Sequence, residues 1–110
     1  MRAGDLRERV TLQSRGATRV RGGQNLAFSD LATNEPAAVQ ATSALSRYEQ
    51  ERISAGVTHV VTVRRSDTTA RLTTKDRILW DSRTLELVSP PTDEGGRREF
   101  LQCQCQEARS

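Results

Sequence analysis

The chain has 110 residues, which predicts a single domain, residues 1–110, with one modest hydrophobic core. Hydrophobic residues make up 35% of the chain and charged residues 28%, so we expect a thin core or one that another subunit completes. The net charge of +3, with 14 acidic residues interspersed, is too small to indicate nucleic-acid binding by itself.

The basic residues are almost all arginine: of the 17, only Lys75 is a lysine. The planar guanidinium donates hydrogen bonds in pairs, which suits subunit interfaces and phosphate groups better than lysine does. No apolar run approaches the roughly 20 residues that cross a bilayer, and the N-terminus has no apolar signal region. We therefore expect no membrane association, and a protein kept in the cytoplasm or in something assembled there.

The first predicted element is a half-buried β-strand over Asp5–Gln13. Leu6, Val10 and Leu12 recur on one side of it, with polar residues between them. Glu8 is the one charged residue that interrupts this apolar side.

The next segment, Ser14–Asn25, is rich in arginine and glycine and poor in apolar residues, which predicts a mobile basic loop. The loop could be a finger that contacts phosphates or a partner, or an ordinary flexible connection between strands. No Gly-Lys-Ser/Thr sequence follows it, so it is not a P-loop. The candidate contact residues are Arg15, Arg19, Arg21 and Gln24.

The middle of the chain changes its pattern twice. Leu26–Pro36 is weakly patterned, with Phe28 as the expected anchor, and Ala37–Thr42 is predicted to be a short strand with Pro36 at its start. Ser43–Ala55 has the features of a helix of two or three turns. These are the capping-box pair Ser46 and Glu49, the pair Arg47 and Glu51, a stop at Gly56, and the apolar residues Leu45, Tyr48 and Ile53. Because so few apolar residues hold it, this helix could rearrange when a neighbour arrives.

Val57–Arg64 is the strongest strand pattern, since valine and threonine dominate it. Val57, His59, Val61 and Val63 are predicted to share one face. His59 could act as a base or a metal ligand, or it could be a structural strand histidine, because no motif links it to a serine, cysteine or carboxylate.

A polar connection, Arg65–Lys75, leads to a β-hairpin over Asp76–Val88 that contains the only tryptophan. Asp81 and Ser82 form a two-residue polar link, although the absence of glycine leaves a longer turn open. The expected core residues of the hairpin are Ile78, Trp80, Leu85 and Leu87.

Ser89–Gly96 is predicted to be a long turn, and Arg97–Glu107 the last strand, with Leu101, Cys103 and Cys105 on one side. The two cysteines could be small buried hydrophobic residues or a redox or metal-binding pair. Two thiols without nearby histidines are too few for a structural metal site.

These elements predict a mainly β fold: a small antiparallel β-barrel or sandwich of about six strands, with one short helix and long loops. Neither paired catalytic carboxylates nor a nucleophile with its base can be identified, so we predict no enzyme, no catalytic residue and no cofactor or metal site. One functional hypothesis is a free-standing small β-barrel that binds single-stranded nucleic acid. The four aromatic residues, however, are scattered over separate elements rather than gathered on one stacking face.

The order of these elements also resembles the head-tail joining proteins of tailed phages, the head-closure or stopper family that is also found in gene transfer agents. The residues that carry the resemblance are Met1–Gln13 at the start, Thr58–Arg64 in the middle, and Asp76–Val88 followed by Arg98–Glu107 at the end. The resemblance covers nearly the whole chain, in order.

The resemblance implies a structural virion connector that forms a ring, usually twelvefold, between portal and tail. Such a ring closes the DNA channel of the filled capsid and offers a docking face to the tail. The implied partners are other copies of the chain, a portal or adaptor protein above, a tail or tail-terminator protein below, and packaged double-stranded DNA that passes without sequence recognition. The implied location is the neck of a virion or phage-like particle, assembled in the bacterial cytoplasm.

In the family, the segment after the second strand reaches into the channel as a plug, which corresponds here to Gln40–Gly56. Ser14–Asn25 is similar in position to the family's other extended interface loop. We hypothesise that the acidic residues of the plug repel phosphate, so that DNA can move past. The candidate plug residues are Ser43, Ser46, Arg47, Tyr48, Glu49, Glu51 and Arg52.

The chain departs from the family pattern at three places. Family members commonly have a tryptophan near the position of Phe28, and a second aromatic residue where this chain has Pro36, Ala37 and Ala38. The hairpin turn is often built around glycine, but Ser82 stands here.

Overall fold

A computed structural model of the chain describes residues 5–20, 23–45, 47, 56–93 and 99–108, and only the backbone of 15–20, 23–27 and 44. Within these residues, seven antiparallel strands form one sheet, in the order β3-β2-β1-β4-β5-β7-β6. A further pairing of β3 with β7 closes six of the strands into a barrel, so the barrel prediction is confirmed over the sandwich. The strands are β1 Glu8–Val20, β2 Gly23–Ala41, β3 His59–Arg64, β4 Arg77–Trp80, β5 Arg83–Leu87, β6 Thr92–Asp93 and β7 Phe100–Glu107.

The barrel interior is filled by alternate side chains of its strands, as the period of two along a strand requires. Leu12, Ile78 and Leu85 are fully buried at its centre, and both cysteines lie in the same cluster. Trp80 is partly buried and packs against the cluster from one side. The cluster consists of Val10, Leu12, Ala37, Val61, Val63, Leu72, Ile78, Leu85, Leu87, Leu101, Cys103 and Cys105.

Beyond the barrel, β1 and β2 continue as a two-stranded ribbon, which we call the arm: residues 14–20 and 23–29. In the described part of the chain, β1 pairs with β4 at 11–13 and β2 pairs with β3 at 37–41, whereas the arm residues pair with each other. The prediction of a loop over Ser14–Asn25 is therefore wrong. The ribbon has no core to cover, so its strands have no need of the apolar alternation that identifies a half-buried strand.

Two irregularities in β2 mark where the arm leaves the barrel. Val10 lies opposite Glu35, Leu12 opposite Ala32 and Gln13 opposite Asp30, so β2 carries extra residues at both steps. Asn34, with φ of 53°, lies within the first. Such bulges bend a strand and increase its twist.

Pro36 was predicted to stand at the start of a strand. It lies instead inside β2, beside this first bulge. Proline is tolerated there because a bulge already interrupts the ladder of hydrogen bonds. The weakly patterned segment and the predicted short strand are both parts of one long strand, β2.

Strand β3 is shorter than predicted, His59–Arg64, and is buried on both faces except at its last residue. Most of the helix predicted over Ser43–Ala55 lies outside the described residues. At its start the chain forms a single 3₁₀ turn, Thr42–Ala44, and the backbone at Arg47 is helical. Strand β6 and a second 3₁₀ turn, Thr69–Arg71, lie within segments that were predicted to be irregular.

The turn between β4 and β5 has two residues, because Trp80 pairs directly with Arg83. Asp81 and Ser82 both have positive φ, 49° and 61°, as a type I′ turn requires. The longer turn left open by the sequence is thus not formed. Aspartate tolerates this backbone conformation better than most residues, whereas serine has no such advantage.

Candidate functional site

The arm and the connection from 42 to 58 lie at opposite ends of β2, and both contain predicted site residues. The arm contains the first part of β2, and the connection from 42 to 58 follows its last residue, Ala41. The core of the barrel lies between them, where β2 pairs with β3. The arm and the described ends of the predicted plug segment are therefore separated by the barrel.

In the arm, Arg15 lies opposite Phe28 and Arg19 opposite Gln24. These pairings place the backbone of both arginines within the paired part of the arm. Arg21 lies outside the described residues.

The segment 14–29, which consists of the arm and the two residues between its strands, accounts for the entire charge excess of the chain. The segment 14–29 contains Arg15, Arg19 and Arg21 and no acidic residue. Since the chain has 17 basic and 14 acidic residues, 14 of each remain elsewhere, and the rest of the chain is neutral. The sequence divides into a neutral body and a cationic arm.

Four side chains, which we call the arm clamp, join the base of the arm to the barrel: Gln13, Phe28, Asp30 and Arg77. The guanidinium carbon of Arg77 lies 3.7 Å from the centroid of the Phe28 ring, and Arg77 Nε donates to Gln13 Oε1 at 2.7 Å. Gln13 Nε2 in turn donates to Asp30 Oδ1 at 2.8 Å. The clamp thus ties β4 to both strands of the arm.

The sequence predicts Phe28 as an anchor, but no pattern in it indicates the other clamp residues. Arg77 and Gln13 are 64 residues apart in the sequence, and they meet because β1 pairs with β4. No local pattern could have indicated this contact.

At the barrel end away from the arm, Trp80 and Glu8 form a second cluster. Trp80 Nε1 donates to Glu8 Oε2 at 3.1 Å, and the Trp80 and His59 ring centroids are 5.8 Å apart. The guanidinium carbon of Arg83 lies 5.5 Å from the centroid of the indole. Glu8, which interrupts the apolar side of the first strand, therefore accepts a hydrogen bond from the tryptophan at the barrel mouth.

His59 is a buried strand residue with structural contacts. Its Nδ1 hydrogen-bonds with Thr58 Oγ1 at 3.0 Å, and the same hydroxyl accepts the backbone N–H of Glu107 at 2.7 Å. Within the described residues, no group of three or more His, Cys, Asp and Glu side chains is placed to hold a metal ion. These contacts favour the structural interpretation of His59.

The two cysteines are free thiols in the core. Burial raises the pKa of Cys103 to about 12. Burial, and then the neighbouring Cys103, raise the pKa of Cys105 well above its usual value of 9.0. Because the thiolate is the reactive form, neither thiol is activated for nucleophilic or metal chemistry at neutral pH.

The two ends of the predicted plug segment, Gln40–Gly56, are fastened together at the barrel. The Thr42 backbone N–H donates to the carbonyl of Thr58 at 2.9 Å, and Thr42 Oγ1 donates to the carbonyl of Val57 at 3.1 Å. Ser43 and Arg47 are exposed. The other candidate plug residues, Ser46, Tyr48, Glu49, Glu51 and Arg52, lie outside the described residues.

Comparison with solved structures finds several that share the fold, and two of them match nearly the whole chain. The solution structure of protein SF1141 from Shigella flexneri 2a has a TM-score of 0.75 at 22% identity, and the match covers 100% of this chain and 99% of that one. A chain in the virion of a native gene transfer agent particle has a TM-score of 0.64 at 18% identity, with 96% and 97% covered. A comparison with curated proteins found no match.

The family comparison is more specific than these fold similarities. The model of the phage head completion protein family matches residues 1–108, nearly the full length of the chain. Among the described residues, none belongs to a helix that is long and apolar enough to cross a membrane. The chain therefore belongs to the phage head completion protein family, and its role is a structural one in closing the head of a phage-type particle.

Proposed function

We propose that this chain is a connector subunit that assembles into a ring between portal and tail. The ring closes the DNA channel of the filled capsid and presents a docking face to the tail. It contains several copies of the chain, twelve by analogy with the family, and works in the particle neck after assembly in the bacterial cytoplasm. It binds a portal or adaptor protein on one side and a tail or tail-terminator protein on the other.

The observation that carries the proposal is the placement of the arm at one end of β2 and of the connection 42–58 at the other. The arm leaves one end and the connection 42–58 leaves the other, with the closed barrel between them. A connector must offer different elements to the components above and below it. This arrangement provides that difference within one small subunit.

The segment Gln40–Gly56 is the proposed plug. Its ends are joined at the barrel by the hydrogen bonds of Thr42 to Val57 and Thr58. A change in the plug therefore need not unpair β2 from β3. Glu49 and Glu51 would repel phosphate and keep DNA from adhering to the plug.

The alternative function, a free-standing nucleic-acid-binding barrel, receives less support. Stacking of bases requires several accessible aromatic rings on one face. Phe100 is buried, Phe28 is covered by Arg77, and Trp80 packs against the core at the other end of the barrel from Phe28. The described aromatic residues therefore form no stacking face.

Assembly with the portal tests the connector proposal. The full chain is mixed with the portal protein of the same particle, and the product is examined by negative-stain microscopy and mass measurement. We expect a ring of the chain on the portal, even if the free chain is monomeric. A chain that remains monomeric and joins neither portal nor particles would contradict the proposal.

The plug is tested by deleting residues 46–53. Because Thr42 and Thr58 already join the two ends, we expect a folded subunit that still forms the ring, but particles that leak DNA. A matched variant replaces the same eight positions with glycine and serine, which keeps the length and removes the side chains. If particles with the deletion retain DNA normally, the plug assignment is wrong.

A further inference from the structure

We infer that the arm binds the phosphate backbone of double-stranded DNA, without sequence recognition, through Arg15 and Arg19. The inference rests on the proposed function, which places DNA beside the ring. It assigns the DNA contact to the arm, at the opposite end of β2 from the plug.

The charge distribution is the first argument. The whole excess of +3 lies in the segment 14–29, while the remaining 14 basic and 14 acidic residues cancel. A polyanion is therefore attracted to the arm and not to the chain as a whole. All three charges are guanidinium groups, which match phosphate geometry with paired hydrogen bonds.

The dimensions of the arm are the second argument. From Gln13 to Val20, β1 extends by about 23 Å at roughly 3.3 Å per residue. The molecule measures 50 × 27 × 24 Å, so one dimension is nearly twice each of the others. A two-stranded antiparallel ribbon is also the size that the major groove of DNA admits. The arm can therefore reach a duplex while the barrel stays clear of it.

The arm clamp supplies the third argument, because it fixes the direction of the arm. Arg77 stacks on Phe28 and hydrogen-bonds with Gln13, and Gln13 hydrogen-bonds with Asp30. A long two-stranded ribbon joined to the barrel at 11–13 and 37–41 would otherwise pivot freely at the bulges of β2. With its base held, the backbone of the arm keeps a constant direction relative to the barrel, as repeated contact with a moving duplex requires.

The composition of the arm favours DNA over an acidic protein surface. The centre of a stable protein interface is enriched in apolar and aromatic residues. In the segment 14–29 the apolar residues are Ala17, Val20, Leu26, Ala27 and Phe28, so the only aromatic residue is Phe28, which is already covered by Arg77. Contact by charge alone suits DNA, which must remain able to move.

The test measures binding of the full chain to a short fluorescein-labelled DNA duplex, by anisotropy, across a range of salt concentrations. The arm variant carries Arg15→Gln and Arg19→Gln. The control carries Arg7→Gln and Arg71→Gln, which remove the same charge from exposed positions outside the arm. A third variant, Arg15→Lys with Arg19→Lys, keeps the charge of the arm.

The plot of log K for DNA binding against log salt concentration steepens by about 0.9 for each phosphate contact. The arm variant loses two such contacts, so its slope should be smaller than that of the wild type by about 1.8. The affinity advantage of the wild-type chain over the arm variant then shrinks about 12-fold between about 50 and about 200 mM salt. The control and the lysine variant should keep the wild-type slope.

Three results would overturn the inference. The first is equal slopes for the arm and control variants, and the second is the absence of duplex binding by the wild-type chain at low salt. The third is an arm variant that keeps its slope but fails to join the portal, which would assign the arm to an acidic protein surface. In the first two cases, rings that still form on the portal would leave the proposed function intact.

Discussion

Trp80 offers the sharpest test of how the barrel is closed at the end opposite the arm. Replacing a fully buried tryptophan with alanine costs about 3–5 kcal/mol. Because Trp80 is only partly buried, we expect removal of its ring to lower the free energy of unfolding by about 2 kcal/mol. Loss of its hydrogen bond to Glu8 should lower it by about 1 kcal/mol more. Trp80→Ala should therefore destabilise the chain by about 3 kcal/mol. With an unfolding entropy of about 2.1 cal/mol/K per residue over 110 residues, the melting temperature should fall by about 13 °C.

Urea and thermal unfolding would be followed by far-ultraviolet circular dichroism, because the variant lacks the only tryptophan fluorophore. Trp80→Phe keeps an aromatic ring but loses the N–H donor, and should cost about 1 kcal/mol. Glu8→Ala removes the acceptor of the same bond, so the double variant should cost less than the two single costs added together. Val88→Ala, at an exposed apolar residue, is the control and should stay within about 0.5 kcal/mol of wild type.

Two results would refute this reasoning. A loss below about 1 kcal/mol for Trp80→Ala would mean that the ring is not packed against the core and serves an exposed interface instead. Strict additivity of Trp80→Phe and Glu8→Ala would mean that the N–H of Trp80 and the carboxylate of Glu8 are not partners in solution.

Three further predictions concern the turn, the arm and the buried thiols. Ser82→Gly should raise stability by about 1 kcal/mol in thermal melts, because glycine adopts a φ of 61° without strain, whereas Ser82→Ala should not. Arg77→Ala should speed hydrogen exchange of the arm amides and leave those of β3 and β7 unchanged; a uniform change would contradict the clamp. The raised pKa of Cys103 and Cys105 means that the folded state keeps both protons above pH 9, where the unfolded chain releases them. The contribution of the thiols to stability should therefore be nearly constant well below pH 9 and fall above it, by about 1 kcal/mol per thiol at pH 10, and a double alanine variant should lose this component.

Several features of the fold could be predicted from the sequence because they depend on local patterns. Alternating apolar residues identify strands that cover a core on one side, and this pattern predicted a small antiparallel barrel or sandwich. The side of the last strand with Leu101, Cys103 and Cys105 faces the barrel interior. The pattern around Asp81 and Ser82 predicted a hairpin at the place where β4 and β5 meet.

The arm shows why such patterns have a limit. Its strands cover no core, so Ser14–Asn25 has the composition of a loop, although its backbone is paired throughout the described residues. Backbone hydrogen bonding between two strands does not by itself require a periodic spacing of apolar residues. The sequence indicated the basic charge of this segment, but its extended shape came from the pairing of β1 with β2.

The sequence by itself determined which strands are apolar on one side, where the hairpin turns, and that the charge excess lies in residues 14–29. Only the tertiary structure decided that β3 pairs with β7 to close the barrel, that Trp80 hydrogen-bonds with Glu8, and that Arg77 clamps the arm. The physical reason is that apolar periodicity reports burial within one element. The hydrogen bonds of Arg77 to Gln13 and of Trp80 to Glu8 join residues 64 and 72 positions apart. They depend on which strands are neighbours in the sheet, and no local sequence pattern indicates that.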